Sequence, residues 1–297
     1  MHTKIRLTRE DKAVNAVAII LSLLTFLAAF YPLYYLLVYS LNDPADAASG
    51  GLYLLPREWT LMNYKLIFQD DQLLRAFLVT VARTAIGTFT GVLFTAVVAY
   101  ALSKKRLKFR RVYAMIGLVT MYVNGGLIPT YLLLQKVHLL NSFWVYIIPA
   151  LFNIYNALLF MAFFRQMPEE LEESAKVDGA GEFYILFRII LPLSKPVLAT
   201  VSLFVAVNHW NDWFSSAYFV SDQRLWTVPT VIVRLLSDTS MLTNIQNMPP
   251  SVQADPLSSM LAIKYATLIV TIVPITLVYP FIQKYFVQGM MVGAIKA

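Results

Sequence analysis

The sequence contains no cysteine and few charged residues, and each shortage excludes a class of function. Without cysteine, the 297-residue chain has no disulfide framework, no thiolate nucleophile and no thiolate metal site. Charged residues make up only 14% of the chain, whereas hydrophobic residues make up 58% and the mean hydropathy is +0.62. A soluble core of this size cannot bury so much apolar surface. The composition therefore predicts a protein that crosses a membrane several times.

Catalytic and nucleotide-binding motifs are also missing. The sequence contains neither G-x-S-x-G nor the G-x-x-x-x-G-K-[ST] loop that cradles the phosphates of ATP. Its three histidines, His2, His138 and His209, have no metal-ligand spacing. The basic residues behind the net charge of +7 are not gathered on one soluble face, which argues against nucleic acid. We therefore expect a chain that is not an enzyme and binds no cofactor or metal itself.

Long apolar stretches predict six transmembrane helices. About 20 apolar residues are needed to cross the roughly 30 Å hydrocarbon core of a bilayer. By this criterion the spans cover about 14–41, 77–102, 112–135, 143–164, 197–220 and 264–283. The first could also be a cleaved signal peptide, but its charge-free run is longer than the apolar region of such a peptide. The prediction is a single all-α membrane domain over residues 1–297.

The distribution of lysine and arginine predicts the orientation. Sixteen of the 24 basic residues lie in four polar segments that six spans place on one side: before 13, in 103–111, in 165–196 and after 283. Seven lie on the other side. Because basic residues favour the cytoplasmic side, both termini are expected in the cytoplasm. The segments 44–75 and 221–263 are then external, and the apolar part 225–236 should form a re-entrant or interfacial half-helix.

Two spans carry features beyond hydrophobicity. In the second, small residues recur at every fourth position, which lets helices approach closely; they are Gly87, Gly91, Thr95 and Ala99. The third is interrupted by Asn124-Gly125-Gly126 and then by Pro129. We expect this interruption to unwind the helix, so that it lines a cavity or packs closely against a neighbour.

The polar stretch from Arg165 to Pro196 is patterned enough to be ordered. Pro168, followed by two glutamates, is typical of a helix start, and Gly179 of a helix end. Apolar residues then recur at spacings of three and four, predicting a second short helix that Pro192 closes. Periodicity alone leaves open whether this is a docking element laid into a partner's groove or an ordinary cytoplasmic loop.

Residue identities favour the docking element. Glu173, Ala175, Gly179, Ile189, Leu191 and Pro192 resemble the EAA loop, E-A-A-x3-G-x9-I-x-L-P, of the membrane subunits of ABC importers. Ser174 stands where that family usually has alanine, which is a small-for-small change. The segments LPREWTLMNY, NGGLIPTYLLL and KYFVQGMMVGAIKA resemble further segments of the family's carbohydrate-uptake permeases. The second of these is similar to a branch associated with complex oligosaccharides and polysaccharides.

The resemblance implies a type I ABC importer permease fold in a bacterial cytoplasmic membrane. The implied partners are a homologous second permease, two ATPase subunits that bind ATP and magnesium, an extracytoplasmic solute-binding protein and membrane lipid. It also implies that the stretch 165–196 forms coupling helices that contact an ATPase. The coupling residues would be Glu172, Glu173, Ser174, Ala175, Asp178, Gly179, Ile189, Leu191 and Pro192.

Polar residues within the spans are candidates for lining a substrate path, because such groups are costly in lipid. Asn208 and Asn211 are three residues apart and share a helix face, which Asp212 should join. The other candidates are His209, Trp210, Arg83 and Asn124. The alternative for the asparagines is a structural hydrogen bond to the partner permease.

The substrate and the energy source leave alternatives open. An oligosaccharide or polysaccharide is implied, and Arg83 and His209 could favour an acidic one such as alginate, although Arg83 could simply snorkel to the interface. The rival function is an ion-coupled secondary transporter. In that case Asp212 alone would have to serve as the coupling-ion site, because the spans hold few other carboxylates.

Overall fold

The structure, a computed structural model, describes residues 8–48, 51, 54–237, 261–274, 276–277 and 280. In these ranges the named elements are all helical, and the β pairing is confined to one isolated bridge between Asn42 and Trp59. The α-helices are α1 Arg9–Ser40, α2 Pro44–Ala48, α3 Met62–Gln69, α4 Asp71–Ser103, α5 Arg110–Tyr122, α6 Leu127–Lys136, α7 Ile154–Phe164, α8 Glu170–Val177, α9 Glu182–Ile185, α10 Leu191–Leu193, α11 Lys195–Asn211, α12 Phe214–Phe219, α13 Val228–Ser237 and α14 Leu261–Pro274.

Two helices are long and apolar enough to cross a membrane by themselves, residues Glu10–Ser40 and Asp71–Ser103. Three bent pairs could each form one more span: α5 with α6, the 3-10 turns of 143–150 with α7, and 182–193 with α11. The bends are 118°, 47° and 86°. The described residues thus hold two to five candidate spans, and α14 begins at the place of the predicted sixth. Residues 281–297, with the rest of that span and the C-terminal motif, lie outside the described ranges.

Most predicted boundaries are close to the observed ones. The interruption in the third span is confirmed, since α5 ends at Tyr122 and α6 begins at Leu127. The predicted half-helix appears as α13, while 238–260 lie outside the described residues. The predicted fifth span, 197–220, is not one continuous helix in the structure. Helix α11 ends at Asn211, Asp212 has an extended backbone, and the short helix α12 follows.

The chain divides into two compact units, of which the first comprises residues 1–69 and 238–270. Two buried asparagines organise the polar end of this unit. The Asn42 side-chain oxygen accepts hydrogen bonds from the backbone N–H groups of Arg57 and Glu58, at 2.9 and 3.0 Å. The Asn63 amide donates to the carbonyls of Ser40 and Asn42. The LPREWTLMNY segment is therefore held against the C-terminal end of α1.

The second unit comprises residues 70–237 and 271–297. Its core lies among α4, α7 and α11, and small side chains permit close packing there. Ala96, Ala99 and Ala157 are completely buried, and a methyl group added at Gly91 would lie 3.6 Å from the carbonyl oxygen of Ala150. The packing role predicted for the small-residue stripe of the second span is thus confirmed.

Candidate functional site

Residues 165–196, here called the coupling stretch, contain two short helices joined by a tight turn. Helix α8 begins at Glu170, two residues later than the start predicted at Pro168, and its terminal turn is closed by Gly179, which has φ +79°. The Gly179 N–H donates to the carbonyl of Lys176 at 3.0 Å, and the Ala180 N–H donates to that of Ala175 at 2.9 Å. Positive φ values strain residues with a Cβ, so glycine suits this helix end.

The second helix of the stretch differs from the prediction at its end. After α9 the helix widens into a π-helical segment, Leu186–Ile190, and continues to Leu193. Pro192 therefore lies inside the last turn instead of closing it. In a regular α-helix a proline ring clashes with the carbonyl group four residues earlier. The wider π-helical turn relieves that clash. The chain then bends by 86° at Ser194 and enters α11.

The two sides of the coupling stretch have opposite environments. Ala175, Ile185, Leu186 and Ile190 are buried in the core with residues of α4, α7 and α11. On the other side, large apolar side chains are exposed to between 42% and 88%: Val177, Phe183, Tyr184 and Phe187. A cluster of exposed aromatic side chains on an otherwise polar segment is typical of a surface that a partner covers. We call these four residues the docking face.

The nine predicted coupling residues fall into two groups. Those at the surface are Glu173, Ser174, Asp178, Gly179 and Pro192. The others are Glu172, which is half-buried and ion-paired, Ile189, which is half-buried, and Ala175 and Leu191, which are buried. Burial places Ala175 and Leu191 in the scaffold beneath the docking face. Only the first group is positioned to contact another protein directly.

Basic residues of the 103–111 segment hold the coupling stretch in place. Lys104 pairs with Glu172, Lys105 lies 2.5 Å from Glu169, and Arg106 pairs with Glu182; the Lys104 ammonium also lies 3.8 Å from the centre of the Tyr100 ring. Burial lowers the pKa of Lys104, and Glu172 opposes this shift. The hydrogen bond from Lys105 keeps the pKa of Glu169 below its usual value.

Sequence reasoning missed these cross-segment pairs, because it explained 103–111 by orientation alone. The available signal was the excess of carboxylates in 165–182, a segment expected on the same side of the membrane as the basic cluster. The basic segment therefore braces the coupling helices through ion pairs.

Two of the predicted path residues form a buried ion pair. The Arg83 guanidinium donates to the Asp212 carbonyl at 2.8 Å, pairs with the Asp212 carboxylate and lies 4.5 Å from the centre of the Tyr146 ring. The Asp212 carboxylate also accepts from the Ser215 N–H and hydroxyl, at 3.1 and 2.6 Å. Arg83 is only 2% exposed, so the alternative that it snorkels to the interface is wrong.

The remaining path candidates are dispersed. His209 is buried against Gly87, where an added methyl group would lie 2.4 Å from the imidazole Nε2, and the Trp210 indole N–H donates to the Thr271 carbonyl at 3.1 Å. Asn208 and Asn211 are exposed on α11. The prediction that Asp212 joins their face is wrong, since Asp212 has left the helix and turned to Arg83.

Asn124 is exposed at the break between α5 and α6, where its side-chain oxygen accepts from the Gly126 N–H at 2.9 Å. This short local bond caps the turn that separates the two helices. The structure thus brings Arg83 and Asp212 together, leaves Asn208 and Asn211 exposed on α11, and places Asn124 at a separate break.

Comparison with known proteins decides the family. The sequence pattern of binding-protein-dependent transport system inner membrane components matches residues 9–292. The chain belongs to this family. This inner membrane component is 37% identical over 269 residues to "Protein LplC" of Bacillus subtilis (strain 168), covering 89% of this chain and 88% of that protein. It is 34% identical over 265 residues to the "Polygalacturonan/rhamnogalacturonan transport system permease protein YtcP" of the same organism, covering 89% and 92%.

Solved structures agree with this assignment. The inner membrane component superposes with a TM-score of 0.86 and 29% identity on a chain of "a bacterial ABC transporter involved in the import of the acidic polysaccharide alginate", covering 95% of this chain and 100% of that one. A second structure, an alginate transporter "in complex with alginate pentasaccharide-bound periplasmic protein", shares the fold at 15% identity and a TM-score of 0.57. The predicted identity as a carbohydrate-uptake ABC importer permease is confirmed.

Proposed function

We propose that this permease forms one half of a saccharide channel whose opening is driven by ATP hydrolysis in separate subunits. The observation that carries the proposal is the docking face, an exposed aromatic surface on a stretch whose other side is fixed in the core of the spans. Movement of a protein bound at Phe183 and Tyr184 would be transmitted directly to α4 and α11, because the same helices bury Ile185 and Leu186 against them.

The proposed topology has six spans with both termini in the cytoplasm. It is supported by the two long apolar helices, the three bent pairs and the apolar start of α14. The ion pairs between 103–111 and the coupling stretch also require these two segments to lie on the same side of the membrane. In this topology both segments are cytoplasmic, where two ATPase subunits bring ATP and magnesium.

The proposed assembly also contains a second, homologous permease and an extracytoplasmic solute-binding protein. The family, a component of binding-protein-dependent transport systems, supports the second of these partners. The structural neighbour solved with a periplasmic protein supports it further. Asn208 and Asn211, exposed on one face of α11, are proposed to face the substrate between the two permeases.

For the substrate we propose an oligosaccharide or polysaccharide, with an acidic one favoured by the similarity to the alginate importer and to YtcP. Arg83 is not the source of such a preference, because the Asp212 carboxylate neutralises its charge within the chain. His209 is buried against Gly87 and is therefore also not accessible to a substrate. Discrimination between acidic and neutral saccharides is therefore expected in the binding protein.

Uptake by proteoliposomes tests the proposal. The complete transporter is reconstituted with its binding protein, and the uptake of labelled oligogalacturonate, oligoalginate and a neutral oligosaccharide is measured with ATP inside the vesicles. We expect uptake that depends on ATP, on the ATPase subunits and on the binding protein. Uptake driven by a proton or sodium gradient without the ATPases would contradict the proposal and favour the ion-coupled alternative.

A further inference from the structure

A cavity lined by several basic residues lies between the coupling stretch and the neighbouring ends of α4, α5 and α7. Its volume is about 560 Å³, and it is lined by the ends of α4 and α7, the start of α5 and one side of α8. Four of its cations are already paired with glutamates: Lys104, Lys105, Arg106 and Lys176. These pairs explain how the cavity is held together. Among the described residues, the charged side chains that line the cavity outside these pairs are Arg110, Arg165 and Glu173.

The two arginines form no ion pair with the glutamates that line the cavity. Arg110 is the first residue of α5, and Arg165 is the C-cap of α7. In the part of the chain that the structure describes, neither guanidinium group has an ion-pair or hydrogen-bond partner. Guanidinium groups bind phosphate oxygens through paired N–H donors, so two of them on one concave surface suit an oxyanion such as a phosphate diester.

The surroundings of the two arginines fit a lipid better than a free anion. Phe164, Met167 and Pro168 give the cavity an apolar wall. Immediately after Arg110 and Arg111, helix α5 exposes apolar side chains to between 50% and 68%: Val112, Tyr113, Met115, Ile116 and Val119. The acyl chains of a lipid whose phosphate lies at the arginines could thus contact these apolar side chains.

We propose that Arg110 and Arg165 bind the headgroup phosphate of an anionic phospholipid of the cytoplasmic leaflet, of the phosphatidylglycerol type. This proposal rests on the proposed orientation, which puts the ends of α4 and α7 at the depth of the lipid headgroups. It does not depend on the identity of the saccharide substrate. A lipid bound there would contact the ion pair between Lys105 and Glu169, which joins the basic segment to the coupling stretch, because both residues line the same cavity. Docking of the ATPases would therefore respond to the lipid composition of the membrane.

The test uses the complete transporter in nanodiscs with increasing fractions of phosphatidylglycerol in phosphatidylcholine. Retained lipid is counted by native mass spectrometry, and ATPase activity is followed in parallel. Arg110→Gln and Arg165→Gln should each raise the phosphatidylglycerol fraction for half-saturation about fivefold, and the double variant about 30-fold. Arg111→Gln, which removes an exposed charge that does not line the cavity, should leave it unchanged.

Several outcomes would overturn the proposal. Unchanged phosphatidylglycerol binding by both single variants would do so, as would an equal loss in Arg111→Gln, which would indicate diffuse surface charge. Displacement of the lipid by inorganic phosphate at similar concentration would assign the cavity to a free anion. Loss of ATPase subunits with lipid retained would assign the arginines to the protein partner. If the double variant fails to assemble, the single variants decide. Failure of this test leaves ATP-driven uptake intact, so the two proposals fail independently.

Discussion

The ion pair between Arg83 and Asp212 should make the loss of the Asp212 charge alone more harmful than the loss of both partners. The Arg83 side chain is 3% exposed and that of Asp212 27% exposed. Asp212→Asn keeps the shape of the side chain but leaves a buried guanidinium without a counter-charge. Removing one partner of a buried pair typically costs about 3–5 kcal/mol, which is a large fraction of the stability of most domains.

Arg83→Met should be milder. It leaves the Asp212 carboxylate with two hydrogen bonds from Ser215 and partial access to solvent. We expect a cost of about 1.5–3 kcal/mol, the usual value of a hydrogen bond to a charged group. The double variant should resemble Arg83→Met alone, because no buried charge remains. The expected coupling energy between the two sites then equals the cost of Asp212→Asn alone, about 3–5 kcal/mol.

The assay is the unfolding of the purified transporter in nanodiscs, followed by tryptophan fluorescence against temperature and denaturant for the wild type and the three variants. Expression and assembly are checked by size-exclusion chromatography. Effects of the two single variants that add within about 0.5 kcal/mol would refute the reasoning, because independent sites behave in that way.

Three further predictions concern coupling and the path. Gly179→Pro should insert normally but lose ATP hydrolysis stimulated by the binding protein, because proline cannot adopt φ +79° and lacks the N–H that bonds to Lys176; a wild-type rate would refute the docking role. Glu173→Lys should weaken co-purification of the ATPases more at low than at high ionic strength, since an exposed charge is screened by salt; retention at every ionic strength would exclude a polar contact there. Alanine at Asn208 or Asn211 should lower transport while assembly and basal ATP hydrolysis persist, and a loss of assembly alone would assign both residues to a subunit interface.

Matched variants control these experiments. A Cβ at Gly179 would meet nothing within 4 Å, so Gly179→Ala suffers only the backbone strain, about 1–2 kcal/mol, and should retain most of the coupling. Glu58→Lys makes the same charge change on an exposed residue of the proposed external segment and should leave ATPase binding unaffected.

Local chemistry explains which features could be predicted from the sequence. The start and end of α8 follow from the properties of Pro168 and Gly179, which act on their immediate neighbours. The interruption after Tyr122 follows from a pair of glycines in the same way. Close packing of α4 follows from small side chains at every fourth position, which is a property of one helix alone.

The features that the sequence did not predict depend on distant residues. Arg83 and Asp212 are 129 positions apart, and Lys104 and Glu172 are 68 apart, so no periodicity links them. The break after Asn211 contains neither proline nor glycine. It is stabilised by tertiary contacts of Asp212, whose carboxylate caps the following turn at Ser215 and pairs with Arg83. Tertiary contacts of this kind override intrinsic helix propensity, which is a weak predictor by comparison.

Site-directed cross-linking tests the docking claim most directly. Because the chain has no cysteine, each introduced cysteine is its only thiol. Phe183→Cys and Val177→Cys lie on the docking face, whereas Tyr122→Cys is equally exposed, at 86%, at the break between α5 and α6. With a thiol-to-amine cross-linker on the assembled transporter, we expect the first two to join this chain to an ATPase subunit and the third to give no such product. Cross-linking of the ATPase at Tyr122→Cys, with none at the docking face, would contradict the account.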